Sequence, residues 1–491
     1  MAFSTFVIPA FLLWYCSKCI YNLYIHPLRS YPGPLLCRAS SIPRIWHRLV
    51  GTNLYHAHQA HQKYGPVVRL SPTELSNITS GTWDDAYSNL NGYTALPKEP
   101  AFIMPVAGLP RGVVQTIDGL EHVRQRRAFA PAFTTAALRK QETMILTHMR
   151  KLIDRLQRAC KHGNGETVEN MADLFNFMSF DVMSELVFGK PLGLLDAGVY
   201  SPWADNVFAV FRASSIHGIV CYYAPLLRRL MMRVLASKRM VGKRDEHLSY
   251  SADLVNQRLE QGENTGLPDI WTLVGKKRDA LTRGEVHINA CIFMTAGTET
   301  TATALCGVVW YLATHQEQLN TLTREVRSMS VEEEPFTMQT LARLPYLNAV
   351  INESLRLYPP TPDMLYRIVP KGGTVICGKQ VPTGTAVGIH QWPAYHSALN
   401  FHRPDEFIPE RWLQTAEGEF ANDDRKIFHP FSRGPRNCIG KDLALHEIRL
   451  ALAQVLSHFN LLTVVGSEDW IRQKSHIVWV KPPLMVRMKA V

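Results

Sequence analysis

The chain has 491 residues, 46% of them hydrophobic and 19% charged, which provides for a large core and excludes general disorder. The net charge is +11, yet no block of five or more like charges occurs, so no nucleic-acid-binding tail is indicated. A basic protein of this kind fits an anionic membrane surface or an acidic partner, with no nucleic acid among its ligands.

Residues 2–15 are almost wholly apolar, Lys18 interrupts, and Ile20 to Ile25 continues the run. A spanning helix needs about 20 largely apolar residues, which 3–25 supplies if Lys18 snorkels to the surface. We therefore expect an N-terminal transmembrane helix over 1–25. A cleaved signal peptide, the rival reading, would show a basic start and a small-residue cleavage site. Positive charge follows the segment at Lys18, Arg29, Arg38 and Arg44, which keeps the remaining chain on the cytoplasmic side. Asn77-Ile78-Thr79, which fits the glycosylation pattern, would then stay unmodified. The nine scattered cysteines read as reduced thiols in a cytosol-facing protein, not as a disulfide framework. Cys16-x-x-Cys19 has a redox spacing but lies inside the hydrophobic segment with no second pair.

The prolines of His26-Pro27-Leu28 and Tyr31-Pro32-Gly33-Pro34 predict a stiff linker over 26–45, ahead of a globular body over 46–491. A helix is expected from Trp46 to Tyr64, then a short hairpin of Val67–Ser71 and Glu74–Thr79. Residues 84–118 are rich in Gly, Pro and Asn and predict an irregular, substrate-facing region. Glu121 to Arg127 returns to helix, where the i,i+4 spacing places His122 and Arg126 on one face. Arg124 and Arg127 point elsewhere and are available to an acidic partner. Residues 137–245 are expected to be mostly helical. Within them Phe208, Phe211 and Ile216 are core or a substrate entrance, and the basic run 228–244 is a lipid contact or a solvated face. A loop follows at 260–268.

From Arg283 to His315 apolar residues lie nearly all round, so this helix is expected to cross the core. Ala296-Gly297-Thr298-Glu299-Thr300 sits in its middle. Gly297 costs helix stability but opens space beside the helix, and threonine hydroxyls can bond a carbonyl one turn back. Glu353-Ser354-Leu355-Arg356 places two charges on one helical face, and Pro409-Glu410-Arg411-Trp412 follows. Thr374–Ile376, Lys379–Val381 and Ala386–Ile389 read as strands, 417–426 as irregular, and 477–480 and 484–488 as closing strands.

The stretch Phe431-Ser432-Arg433-Gly434-Pro435-Arg436-Asn437-Cys438-Ile439-Gly440 precedes an apolar-periodic run from Asp442 to Phe459. Cys438 is thus expected at a helix N-terminus, where the dipole favours thiolate over thiol. Such a thiolate serves as a nucleophile or a metal ligand, and the neighbours favour a ligand. Gly434 and Gly440 clear space for something flat, Arg436 offers a cation to a carboxylate, and Phe431 can shield the sulfur.

This stretch resembles the haem-binding loop of the cytochrome P450 family, Phe-x-x-Gly-x-Arg-x-Cys-x-Gly, at every specified position. The resemblance covers the whole chain, with further motifs in family order, and its proline-rich opening is similar to filamentous-fungal microsomal members. It implies a mainly α fold with a small β-rich part, the cytochrome P450 fold, behind the transmembrane helix. It implies haem b with Cys438 as axial thiolate, and propionates held by Arg126, Arg367, Arg436 and His122, the last standing where the family has Trp. Gly297, Glu299 and Thr300 match the oxygen-handling motif, with Thr300 as hydrogen-bonding alcohol and Glu299 as the carboxyl that delivers a proton to dioxygen through water. Glu353, Arg356 and Arg411 match a buried ion network, and Thr361 to Leu365 would face substrate. The implied activity is monooxygenation of a small lipophilic molecule by O2 at the endoplasmic reticulum membrane, single-pass, facing the cytoplasm. The chain shows no flavin or dinucleotide fingerprint, so electrons would come from NADPH through NADPH–cytochrome P450 reductase, with cytochrome b5 as a further donor and membrane lipid as a contact. Fungal secondary metabolism is the expected setting, with a terpenoid as first choice and a polyketide or alkaloid next. A haem-thiolate isomerase or dehydratase, and a non-catalytic haem sensor, are the alternatives.

Overall fold

The computed structural model describes residues 2–88, 95–103, 109–223, 230, 238–262, 266, 268–329, 336–414, 418–466 and 469–491. Side chains are described from residue 9 onward, outside 205–212, 214, 238–241, 243–245 and 247. The expectations for the side chains of Phe208 and Phe211, for the basic residues of 228–244, and for parts of 84–118 and 260–268 lie outside the described residues. Within them the chain is mainly helical with a small β part, as expected.

The helix Arg283–Thr314 is the axis of the molecule. It starts at a reciprocal capping box, in which the Glu285 amide donates to Thr282 Oγ1 at 3.2 Å and the Thr282 amide to Glu285 Oε2 at 2.8 Å. Leu305, Cys306, Val308, Val309 and Leu312 are fully buried, which accounts for apolar residues on every side. Helices Met171–Phe188, Lys238–Glu260, Pro345–Leu357 and Lys441–His458 pack against it. The last two carry the Glu-x-x-Arg pair and the helix that follows the cysteine, so the central helix links both motifs.

Strands gather at two places. Strands β1 (Val67–Ser71) and β2 (Glu74–Asn77) form the expected hairpin. It joins a sheet of order β1-β2-β7-β4, with β4 at Arg367–Ile368 and β7 at Ala386–Ile389, and β2 runs parallel to β7. The hairpin of β5 (Thr374–Ile376) and β6 (Lys379–Val381) stands where the sequence predicts it. β3 (Glu166–Asn170) and β8 (Phe459–Val464) flank β11 (Met485–Ala490), and β9 (Ser475–His476) pairs with β10 (Val478–Trp479). Neither β3 nor β8 was legible, because each is a short edge strand that exists only through its pairing with the C-terminal β11.

Three expectations change. The helix predicted over 46–64 is two helices, Ile42–Val50 and Asn53–Tyr64, because Gly51 takes φ +78° and ends the first. The N-terminal run is helical over Ala2–Tyr24, as expected, but falls short of the apolar length that a span requires. Among the described residues no helix is long and apolar enough to cross a membrane. Tyr15, Ser17, Lys18, Tyr21 and Asn22 dilute the run, and its second half turns to the protein. There Asn22 Nδ2 donates to the carbonyl of Ala39 at 2.8 Å, and the Arg69 guanidinium donates to the carbonyl of Asn22 at 2.9 Å. The proline-rich stretch 26–45 is likewise packed on the body, with Leu28, Cys37 and Arg44 buried.

Candidate active site

Cys438 closes a loop that folds back on itself. Its amide donates to the Phe431 carbonyl at 2.9 Å, and Ser432 and Gly434 take φ of +59° and +78°. A Cβ on Gly434 would stand 2.0 Å from the carbonyl oxygen of Tyr87, so this glycine lets the loop press on the turn Trp83–Tyr87 rather than clearing space for a flat ligand. Gly440 does leave room, since a Cβ there would meet only Phe133 Cε1 at 3.9 Å. Phe431 is half-buried against the main core. The Cys438 side chain is exposed. Burial pushes its thiol up, and the Gly440 N–H and the Arg126 charge only partly counter this.

Around this loop stands a group of cations. Arg126 donates from its two terminal nitrogens to Asn437 O and Oδ1, both at 2.6 Å, which ties helix Gly119–Phe129 to the residue before the cysteine. Arg436 donates to the carbonyls of Thr116 and Ile117, ahead of the same helix. Arg367, on β4, stacks its guanidinium over Tyr87 at 4.7 Å, and its Nε is buried with no hydrogen-bond partner. Lys98 bridges Arg367 in the backbone and donates from Nζ to the Val114 carbonyl. His122 is buried on the face that also carries Arg126. Burial, then Arg367, Arg436 and Arg126, push Lys98 down to about 7. Burial, then Arg436, Lys98, Arg126 and Arg367, push His122 down to about 4, so its ring is neutral at pH 7. Arg367 falls to about 10, chiefly through burial. Among the described residues none of the four cations has a carboxylate partner within ion-pair distance. Asp118 lies near Arg436, and its Oδ1 accepts the Glu121 amide as a helix cap at 2.9 Å.

Several cations held together under partial burial, one with an orphaned donor, are complementary to a bound polyanion. Together with a soft sulfur ligand at the mouth of the loop, this donor set fits an iron porphyrin with two propionates. Lys98 was not foreseen: it is a lone lysine in a proline-rich stretch with no periodicity.

Behind the loop, Glu353 accepts from Arg356 at 2.8 Å on each oxygen, from Arg411 Nε at 3.1 Å, from Trp412 Nε1 at 2.9 Å and from the Ile408 amide at 2.9 Å. Arg411 also donates to Asp423 at 2.7 Å, and all four charged side chains are 0% exposed. Two cations therefore meet two carboxylates. Asp423 was missed because it lies in the stretch expected to be irregular. Burial raises the cost of ionising Glu353, but the two arginines outweigh it and hold the carboxyl below its ordinary value.

On the central helix, Thr300 Oγ1 donates to the Ala296 carbonyl at 2.6 Å, the expected bond one turn back. Gly297 does not open a pocket. A Cβ there would meet Met183 Sδ at 2.5 Å, so the space is filled by a side chain of helix Met171–Phe188. Glu299 is buried and paired with Lys481, a partner far along the chain that no motif marks. Asp363 turns away from the cysteine loop: its Oδ1 accepts from Asn53 at 2.8 Å and lies 3.1 Å from His390, in a buried cluster that also holds Arg44 and Glu74. A separate cavity of about 240 Å³ between the two β hairpins, lined by Tyr31, Leu75, Thr79, Cys377, Lys379 and Val387, contains none of the predicted site residues.

Comparison with known proteins agrees with this geometry. The family model described as Cytochrome P450 matches residues 39–488. Cytochrome P450 monooxygenase efuB of Hormonema carpetanum is 39% identical over 488 residues, covering 98% of this chain and 95% of that protein. Cytochrome P450 monooxygenase astJ of Aspergillus oryzae is 37% identical over 481 residues, covering 97% and 95%. Cytochrome P450 monooxygenase astA of Talaromyces wortmannii is 36% identical over 474 residues, covering 96% and 94%. The chain belongs to the cytochrome P450 family and is an oxidoreductase of its monooxygenase class. Membership implies a haem, a redox partner, O2 and a small substrate.

Proposed function

We propose that this protein uses haem b, ligated by Cys438, to insert one oxygen atom of O2 into a small lipophilic molecule by hydroxylation or epoxidation. The observation that carries the reading is the group of Arg126, Arg367, Arg436 and Lys98 beside the cysteine loop, which has no carboxylate within ion-pair distance among the described residues. When bound, the haem supplies the iron chemistry that cleaves the O–O bond, favoured by the electron-rich sulfur. The chain's own residues do the rest. Lys98 and the arginines would hold the propionates, and neutral His122 would offer an N–H donor. The Gly440 N–H and Arg126 would favour the sulfur anion that holds the iron. Thr300 orients a hydroxyl on the reacting side, and Glu299 supplies a proton there. The Glu353–Arg356–Arg411 network fixes the scaffold on which the loop rests.

Electrons come from NADPH through NADPH–cytochrome P450 reductase, with cytochrome b5 as a further donor. The setting is fungal secondary metabolism, with a terpenoid as first substrate class ahead of a polyketide or alkaloid. The protein is placed at the endoplasmic reticulum membrane with its body, 46–491, facing the cytoplasm. The support is the exposed apolar face of the N-terminal helix, where Phe11, Leu12, Leu13 and Trp14 project from the protein. The test is metabolite profiling of cells that co-express the protein and a reductase, under 18O2. The expected result is a lipophilic product carrying one labelled oxygen, formed only with NADPH. A product formed without NADPH or label would replace this reading with an isomerase or dehydratase.

A further inference from the structure

Glu299 and Thr300 are neighbours in sequence, but successive side chains on a helix diverge by about 100°. Thr300 turns to its own helix, whereas Glu299 turns to the C-terminal segment. There Lys481, between β10 and β11, donates from Nζ to Glu299 Oε1 and, at 2.6 Å, to Thr303 Oγ1. Thr303 Oγ1 donates to the same carboxylate oxygen at 3.4 Å. The Lys481 and Glu299 side chains are 5% and 4% exposed, and Glu299 Oε2 is buried without a hydrogen-bond partner. Pro482 and Pro483 follow Lys481, and the Pro482 carbonyl accepts the Trp470 indole N–H at 3.0 Å, so the lysine is presented from a fixed backbone. Asp173, the nearby carboxylate of helix Met171–Phe188, is engaged by Tyr200 at 2.9 Å and Asn170 at 2.5 Å. A buried ion pair is a poor device for stability alone, since an apolar pair of similar volume commonly serves as well. One held oxygen and one unbonded oxygen on the same carboxylate is an arrangement suited to proton transfer.

We propose that Lys481 is a positioning residue for Glu299: it anchors the carboxylate through Oε1, which leaves Oε2 to carry the proton. A hydronium ion of the solvent gives its proton to Oε2 and leaves as water, the Oε2–H bond breaks as the Thr300 hydroxyl accepts that proton and releases its own to the O2-derived oxygen, and the carboxylate remains on Lys481. Nothing is oxidised or reduced in this step. The proposal rests on the reading of Glu299 as proton donor.

The test compares full-length haem-loaded wild type with Lys481→Met, Lys481→Arg and Lys481→Met/Glu299→Gln by difference infrared spectroscopy and by product formed per NADPH consumed. Lys481→Met should keep the wild-type haem content. It should gain the carbonyl stretch of a buried protonated carboxylic acid, and that band should vanish in the double variant. Coupling should fall at least about 10-fold, within the range general acid catalysis supplies, and Lys481→Arg should restore it to within about threefold. If Lys481→Met does not retain haem, Lys481→Gln, which keeps a donor without the charge, should give the same two readouts. Lysine variants with neither a new acid band nor lower coupling, or an arginine variant as poor as methionine, would overturn the proposal. Absence of thiolate-ligated haem in the wild type would instead overturn the proposed function.

Discussion

Lys98 and Arg367 are where electrostatics predicts behaviour that opposes ordinary intuition. Each is a partly or wholly buried cation whose nearest charges are other cations, so each destabilises the protein unless an anion arrives. Replacing Lys98 or Arg367 by Met should therefore raise the unfolding temperature of the haem-free protein and lower that of the haem-loaded one. A charge-assisted hydrogen bond contributes about 1.5–3 kcal/mol, so haem should leave either variant about 10- to 100-fold more readily, measured by transfer to an excess of a haem-scavenging protein. An unchanged haem-free stability would mean that the cations are balanced by a partner other than a ligand. Cys438 could be read from its neighbours in the chain because loop, glycines and following helix are all local. Lys98, Lys481 and Asp423 could not, since each matters only through side chains that the fold brings from far along the chain.

At the level of elements, the buried Glu353 network and the two motif glycines make separable predictions. Glu353→Ala strands two fully buried guanidiniums and should cost about 3–5 kcal/mol in denaturant unfolding, with loss of haem incorporation. A variant of wild-type stability would show that water enters to replace the carboxylate. Gly434→Ala forces a left-handed residue worth about 1–2 kcal/mol of strain onto a backbone carbonyl that cannot retreat, so haem loading should fail. Gly297→Ala first meets the flexible Met183 side chain and gains helix propensity, so its stability should lie within about 1 kcal/mol of wild type. Equal effects of the two substitutions would contradict this account of the loop. The long central helix, the first hairpin and the β5–β6 hairpin were legible because their periodicity and turn residues are strong. The break at Gly51 and the strands β3 and β8 were not, because tertiary pairing decides them. The N-terminal segment was legible as a helix but not in its placement, which depends on Asn22 and Tyr15 meeting the segment that follows.

Across the whole molecule, stability should fall as the medium is acidified. His61 and His446 are held neutral by burial, with folded values of about 3 and about 4. Below about 6.5 the unfolded chain binds protons that the folded one refuses, so stability is lost as pH falls from there. Glu353 and Glu74, both held below their ordinary values despite burial, add to the loss once pH drops past the ordinary carboxylate range. Glu447 works in the opposite sense. Burial alone pushes it up to about 8, so it opposes folding increasingly as pH rises from about 4.3 to 8, and Glu447→Gln should stabilise more at pH 8 than at pH 5 in thermal unfolding. Equal stabilisation at the two pH values would mean that the carboxyl is ionised in place. The account as a whole depends on a sulfur–iron bond at Cys438. The most direct measurement is the absorption spectrum of the reduced, haem-loaded protein under carbon monoxide, taken on wild type and on Cys438→Ala. The wild type should show the band of a thiolate-ligated haem and the variant should lack it, while a band that survives in Cys438→Ala would contradict the account.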